Sequence, residues 1–407
     1  MIQVTPPLLI QSAGYNGYLT AISATHAQIE WSDGKAPAQK IKTLVITPGK
    51  PSEIVLDIIE PNDKASDKIV EFAPHSRPQV HALLNLMRKD QHIHLCATTD
   101  VEHSSKNSGF ADVQLPIVSL PERSWDDVST NTKFMGCDFS APILITGMTG
   151  GVAQASIINE RLARAATMHN IPMGVGSQRL ALEDAEHAAI FRLKDKFPKL
   201  FLIGNLGIGQ LQAANYLELC ERAVDMIEAD ALAIHINVLQ ELIQVEGDRN
   251  FRGIIAKIGE VKRRLQVPVL VKEVGAGLDV TTALRLAELG ITHFDVGGAG
   301  GTSWALIEGL RSSDPLIQRR GQIFRNWGIQ TADAIRSIRS ALPQSTLVAT
   351  GGIRDGLVVL KALYTGANMA GIGLPLMRAA TENDEAPSKL LGAIIDELKI
   401  AKICSGI

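Results

Sequence analysis

The sequence predicts an α/β fold, a (β/α)8 TIM barrel with an additional small β-rich N-terminal domain, and three observations carry that prediction. Apolar runs recur at eight places from about residue 142 onward, with helical stretches between them. Glycine and polar residues cluster just after those runs, which in a barrel is a single rim. The first 87 residues or so differ in texture, with short alternating segments separated by Gly, Pro, Asn and Asp.

A chain of 407 residues suits one large α/β domain with an appendage. Its formal net charge of −3 gives no reason to expect nucleic acid or an anionic membrane as a partner. Cys96, Cys137, Cys220 and Cys404 form no CxxC pair and read as reduced thiols of a cytoplasmic protein, not as a disulfide or zinc framework. The first Lys or Arg is Lys35, so the N-terminus lacks the positive flank of a signal peptide. No run of ~18 apolar residues is present to span a membrane, and the expectation is a soluble protein.

In chain order, residues 2–4, 27–31, 41–46 and 53–58 read as strands of a module over residues 1–80 whose role the sequence leaves unknown. Residues 61 to about 78 read as its linker, and 79–87 as a helix leading into a barrel domain over 81–407. Arg88-Lys89-Asp90-Gln91-His92-Ile93-His94 follows. It is either a solvated helix end or an arm that clamps a polyanion, since Arg and Lys neutralise a phosphate ester that His also hydrogen-bonds.

The barrel runs are 142–148, 172–177, 200–205, 232–237, 267–274, 292–297, 346–351 and 368–373, with helices such as 160–168 and 281–289 between them. The first five end in Gly147-Met148-Thr149-Gly150-Gly151, Gly176-Ser177-Gln178-Arg179, Gly204-Asn205-Leu206-Gly207, His235-Ile236-Asn237-Val238-Leu239-Gln240-Glu241 and Lys272-Glu273-Val274-Gly275. The last three end in Gly297-Gly298-Ala299-Gly300-Gly301-Thr302-Ser303-Trp304, Thr350-Gly351-Gly352-Ile353-Arg354 and Gly371-Ile372-Gly373.

The glycines at the seventh and eighth ends fit a phosphate-bearing cofactor, because barrels commonly hold phosphate on backbone N–H groups there. Lys272 needs an anionic or electron-rich partner; the N1–C2=O edge of a flavin is one, and a salt bridge to Glu273 or Asp295 is the alternative. Gly147, Met148, Thr149 and Asn205 can hydrogen-bond around the same ring. Arg179 with Ser177 and Gln178, together with Arg88, Lys89 and His92, makes a second anion site. Glu241 is either a hard-oxygen ligand for Mg2+ or a carboxylate compensating a helix dipole. His235 and Asn237 either form the chemical centre or merely satisfy backbone groups.

Together these strings resemble the type 2 isopentenyl-diphosphate delta-isomerases, the FMN-dependent family of isoprenoid biosynthesis. The resemblance runs from about Met87 to the C-terminus and includes Glu246-Gly247-Asp248-Arg249 beside the motifs above. It implies an isomerase interconverting isopentenyl and dimethylallyl diphosphate without net redox change. Reduced FMN, made with NAD(P)H, would act as an acid/base cofactor, and Mg2+ would sit on the substrate diphosphate. Arg88, Lys89, His92, Ser177, Gln178, Arg179, His235, Asn237 and Gln240 would bind substrate, with Gln240 near the reacting carbons, and Gln240 and His235 would be catalytic. Gly147, Met148, Thr149, Ser177, Asn205, Lys272, Gly297, Thr302, Gly351, Gly352, Ile353, Gly371 and Ile372 would hold FMN, and Glu241 the metal. The family also implies a homo-oligomer. Val238 and Gln330 stand where it usually has Pro, and Gly297 where it usually has Ser or Ala, which puts one side-chain contact to FMN in doubt.

Two other readings compete. An FMN-dependent oxidoreductase of the 2-hydroxy-acid oxidase type would need a His base beside an Arg pair, whereas the His235 stretch continues into an amide and a carboxylate. A flavin-binding protein without catalysis need not keep Arg179, Gln240 and Glu241.

Overall fold

The computed structural model describes the strands and first helix of residues 1–87 as backbone, and most of residues 88–407 with side chains. Positions 106, 149, 151, 152 and 184, and the side chains of 153, 185 and 186, lie outside the described residues.

Six antiparallel strands near the N-terminus close a small barrel: β1 (Ile2–Ser12), β2 (Tyr15–Ile22), β3 (His26–Trp31), β4 (Thr43–Ile46), β5 (Ile54–Ile59) and β6 (Ile69–Phe72). Their order is β1-β2-β3-β6-β5-β4, and β1 pairs with β4. The register of β1 against β2 shifts between Gln3 and Leu8, a stretch containing Pro6 and Pro7, which have no N–H for a ladder. Two strands escape the sequence reading. Asn16 and Gly17 break the alternation of β2, and β6 lies inside the expected linker. The following helix, α1 (Arg77–Thr98), is longer than expected and absorbs the basic cluster.

Next comes a hairpin of β7 (Thr132–Phe134) and β8 (Cys137–Phe139). Eight parallel strands then close the main barrel: β9 (Ile143–Ile145), β10 (Met173–Gly174), β11 (Leu202–Gly207), β12 (Ala231–Ile236), β13 (Val269–Glu273), β14 (His293–Asp295), β15 (Thr346–Thr350) and β16 (Met369–Ile372). Each lies within one of the apolar runs or at most two residues beyond it. Helices α2 (Ala153–Met168), α3 (Arg179–Glu183), α4 (Tyr216–Asp225), α5 (Val238–Ile243), α6 (Ile254–Arg264) and α7 (Val280–Ala287) connect the earlier strands. The rest are α8 (Trp304–Arg311), α9 (Pro315–Ile323), α10 (Thr331–Ala341), α11 (Gly356–Thr365), α12 (Leu374–Glu382) and α13 (Ala386–Ser405). The fold class is therefore a (β/α)8 barrel.

Side chains alternate along each strand, and the two faces form different cores. Ile143, Ile145, Leu232, Ile234, Val269, Val271, Leu347 and Ala349 join the large cluster shared with the helices. Leu144, Ile203, Ala231, Ala233, Leu270, Val348 and Met369 form a separate cluster inside the barrel, with Phe134 and Phe139 of the hairpin packed into it. Phe134, Phe139 and Phe201 meet edge-on or tilted, with centroids 5.5–6.5 Å apart. Burying the two hairpin rings contributes about 3–6 kcal/mol and closes the lower end of the barrel. The opposite end stays open.

Candidate active site

Two residues beyond each apolar interior position, the same register delivers a different kind of group to the open end. Leu144 leads to Thr146, Ile203 to Asn205, Ala233 to His235, Leu270 to Lys272, Val348 to Thr350 and Met369 to Gly371, and all six line one open cavity. Ser177, Arg179, Gly147, Met148, Gly297, Thr302, Gly351 and Gly352 line it too. From α1 and α5 come Arg88, Lys89, His92, Gln240 and Glu241, and Asn237 joins them from the residue before α5.

The end of β12 has a fixed hydrogen-bond polarity. Asn205 donates its amide nitrogen to the Val175 carbonyl at 2.9 Å, so its oxygen accepts from His235 Nδ1 at 2.8 Å. A side chain at Gly207 would meet His235 Nε2 at 2.6 Å, so glycine there makes room for the ring. Burial, then Lys272, Lys89 and Arg88, push the His235 pKa well below its ordinary value, which leaves a neutral ring whose Nε2 is an acceptor. Asn237 donates to Glu241 Oε1 at 2.8 Å, while Gln244 and the Asp248 N–H donate to Oε2 at 2.7 and 2.9 Å. Glu241 is thus oriented by three neutral donors, and burial raises its pKa.

One turn of α1 places Arg88 and His92 on the same face. His92 meets Glu308 Oε1 at 3.0 Å, and Gln240 donates its amide nitrogen to the same oxygen at 2.7 Å. Arg311 bonds the other oxygen of Glu308 and reaches Glu246 at 3.1 Å. Burial opposes ionisation of Glu308, but Arg311 and His92 win and hold it well below the usual carboxylate range. Burial pushes His92 down to about 4, and since the carboxylate only accepts, the proton of the neutral ring sits on Nε2 and is donated to it. Glu308 therefore sets the direction in which the Gln240 amide points.

Burial, then Arg88 and Arg179, bring Lys89 down to about 7. The charged form binds an anion and is lost as pH rises through that value, so kcat/KM for an anionic substrate should fall above about pH 7. Lys89→Arg should move that alkaline limb upward in a pH profile. An unchanged limb would assign it to another group.

Lys272 donates to the Glu273 carbonyl at 2.9 Å. Glu273 is occupied elsewhere, since its Oε2 accepts the N–H groups of residues 274–277 at 2.5–3.1 Å. Among the described residues Lys272 therefore makes no direct ion pair, although the buried Asp295 carboxylate on the neighbouring strand acts on it through space, and its side chain lines the cavity where an electron-rich ring edge would meet it. Gly351 and Gly352 have φ of 111° and 79°, and a Cβ on Gly301 would lie 2.7 Å from the Gly352 nitrogen. Backbone approaches backbone here, which suits a phosphate cradle. This donor set fits FMN. Glu241, held by three neutral donors at the rim, is a carboxylate that fits a hard cation such as Mg2+; among the described residues no group of three or more His, Cys, Asp or Glu forms a cage.

Three expected residues are placed differently. Gln178 is fully buried, accepting from the Asn205 N–H and donating to the Ala223 carbonyl, both at 2.8 Å, so it braces β11 and α4 and does not face the cavity. The side chains of Ile353 and Ile372 lie in the core, which leaves only their backbone for a ligand. Thr149 lies outside the described residues.

Comparison with known proteins bears on this geometry. A family model described as FMN-dependent dehydrogenase matches residues 211–407. An isopentenyl-diphosphate delta-isomerase of Nostoc sp. is 42% identical over 319 residues, covering 78% of this chain and 91% of that protein. The chain belongs to the isopentenyl-diphosphate delta-isomerase family. A family member from Thermococcus onnurineus is also 42% identical, over 78% of this chain and 86% of that protein. Among solved structures, a mandelate oxidase aligns at TM-score 0.51 and 18% identity, over 77% of this chain and 90% of the other. A Pediococcus acidilactici lactate oxidase aligns at 0.55 and 15%, over 80% and 90%. These two share the fold.

Within the family's site several residues here were not singled out from sequence. Thr146 and Thr350 were within reach of the alternating register. Glu308 and Arg311 were not, because they sit in α8 after the loop of Gly300 and Gly301, and Glu308 acts through Gln240 and His92.

Proposed function

We propose that the chain interconverts isopentenyl and dimethylallyl diphosphate, with reduced FMN as a non-redox acid–base cofactor and Mg2+ on the diphosphate. The observation that carries this reading is that Arg88, Lys89 and Arg179 line the same cavity as Lys272 and the glycine loops at 297–302 and 351–352. One cavity therefore offers a diphosphate site and a flavin site together.

When bound, reduced FMN supplies an electron-rich ring and a nitrogen that exchanges a proton with the substrate. The chain's residues do the rest. Arg88, Lys89 and Arg179 would neutralise the diphosphate, and Glu241 would hold a divalent cation that supplies further positive charge to it. Lys272 would stabilise negative charge on the edge of a bound flavin. Gln240, fixed by Glu308, positions the alkene, since an amide is a poor acid or base. Residues at the barrel floor exclude water, so charge developing during the reaction is felt strongly. NAD(P)H reduces the flavin, and the protein works in the cytoplasm as a homo-oligomer. No described helix is long and apolar enough to cross a membrane.

A 2-hydroxy-acid oxidase would need a strong imidazole base. His235 is oriented by a neutral amide and flanked by Lys272, which disfavours that role.

In D2O, reduced enzyme with isopentenyl diphosphate should give dimethylallyl diphosphate carrying deuterium in its new methyl group. Product without that deuterium would refute proton addition. Glu241→Gln should lose about 10- to 100-fold in Mg2+ affinity while keeping FMN bound. Full activity with an unchanged Mg2+ response would remove Glu241 from the metal site.

A further inference from the structure

Asn237 occupies the N-cap position of α5, where an Asn oxygen normally accepts a backbone N–H of the first turn. Here it makes no such cap bond. The side chain turns instead to Glu241, donating its amide nitrogen at 2.8 Å. That contact fixes which end of the amide is which, because a carboxylate accepts only. Asn237 is 5% exposed, lines the cavity, and its Oδ1 is buried with no hydrogen-bond partner. A buried acceptor left unpaired while a helix cap is forgone points to a ligand that is itself an electron-pair acceptor.

A diphosphate oxygen is not such a ligand. Two acceptors facing each other repel, so the Asn237 oxygen is poorly suited to bind the substrate anion directly. A hard divalent cation matches it, since Mg2+ takes amide and carboxylate oxygens together with phosphate oxygens and water. Glu241, within one hydrogen bond of the same side chain, is the natural companion.

We propose that Asn237 Oδ1 is the second protein oxygen of the cation site, beside Glu241, and that Asn237 holds the metal and not the diphosphate. This inference rests on the proposed metal role of Glu241, and the test separates the two. Mn2+ serves as the probe, added with inorganic pyrophosphate to FMN-loaded full-length protein. Its affinity is read by titration calorimetry, and its ligands by pulsed electron–nuclear double resonance on protein carrying 13C-labelled asparagine side chains.

The expected result is a Mn2+–13C coupling in the wild type that disappears in Asn237→Ala, with about tenfold weaker Mn2+ binding in that variant. Pyrophosphate affinity measured without metal should be unchanged. Absence of the coupling in wild-type protein that binds Mn2+ normally would overturn the proposal, leaving Asn237 as a positioning donor for Glu241. Loss of metal-free pyrophosphate affinity in Asn237→Ala would overturn it in favour of direct anion binding. Unchanged Mn2+ affinity in Glu241→Gln would instead refute the metal role of Glu241.

Discussion

Glu308→Gln should lower kcat by about 100-fold and reduce folding stability by about 3–5 kcal/mol. The carboxylate is almost wholly buried and carries three partners, His92, Gln240 and Arg311. An amide in its place keeps the shape but leaves Arg311 with only Glu246 as a charged partner. Breaking one side of a buried pair is costly because the remaining charge stays desolvated. The one remaining carbonyl oxygen cannot accept from His92, Gln240 and Arg311 on both sides as the carboxylate does, so the Gln240 amide is no longer fixed in direction and the alkene would be held less accurately. Urea unfolding of the FMN-loaded protein measures the first effect, and steady-state kinetics the second. Wild-type stability together with wild-type kcat would show that Glu308 neither supports the buried network nor orients Gln240.

Gly351→Ala should yield protein that retains less than about a tenth of the wild-type flavin affinity. Gly351 has φ of 111°, a conformation that L side chains rarely adopt, and a Cβ there would lie 2.1 Å from the Gly298 carbonyl oxygen. Both obstacles are backbone, so no side-chain rotation relieves them. Strain of about 1–3 kcal/mol, or movement of the loops after β14 and β15, follows. Those loops form the glycine-rich side of the cavity. Flavin fluorescence titration of the apoprotein measures the change, and unaltered affinity would place the cofactor elsewhere on the rim.

The fold was legible because the barrel strands are runs of apolar residues ending in glycine, a pattern set by burial on both faces. Much of the site was legible for the same reason, since a polar group at the top of a buried strand needs a purpose. The misplacement of Gln178 shows where that logic needed one more step. Ser177 and Arg179 line the cavity while Gln178, in the loop between β10 and α3, turns away to bond Asn205 and α4, a partnership that its place in the motif does not reveal. The basic cluster at Arg88 was ambiguous because its charges obscure the apolar periodicity of α1, which continues to Thr98. Glu308 was beyond sequence reasoning. Within Trp304-Ala305-Leu306-Ile307-Glu308 it resembles any helical carboxylate, and only the approach of α1 and α5 gives it partners.

The central claim is that the flavin site serves an isomerisation without net redox change. The most direct test is anaerobic incubation with FMN, Mg2+, isopentenyl diphosphate and NADPH limited to one equivalent of enzyme. Many turnovers to dimethylallyl diphosphate, with NADPH consumed only once to reduce the flavin, are predicted. Product that stops at one equivalent, or reduced flavin that forms no product, would contradict the account.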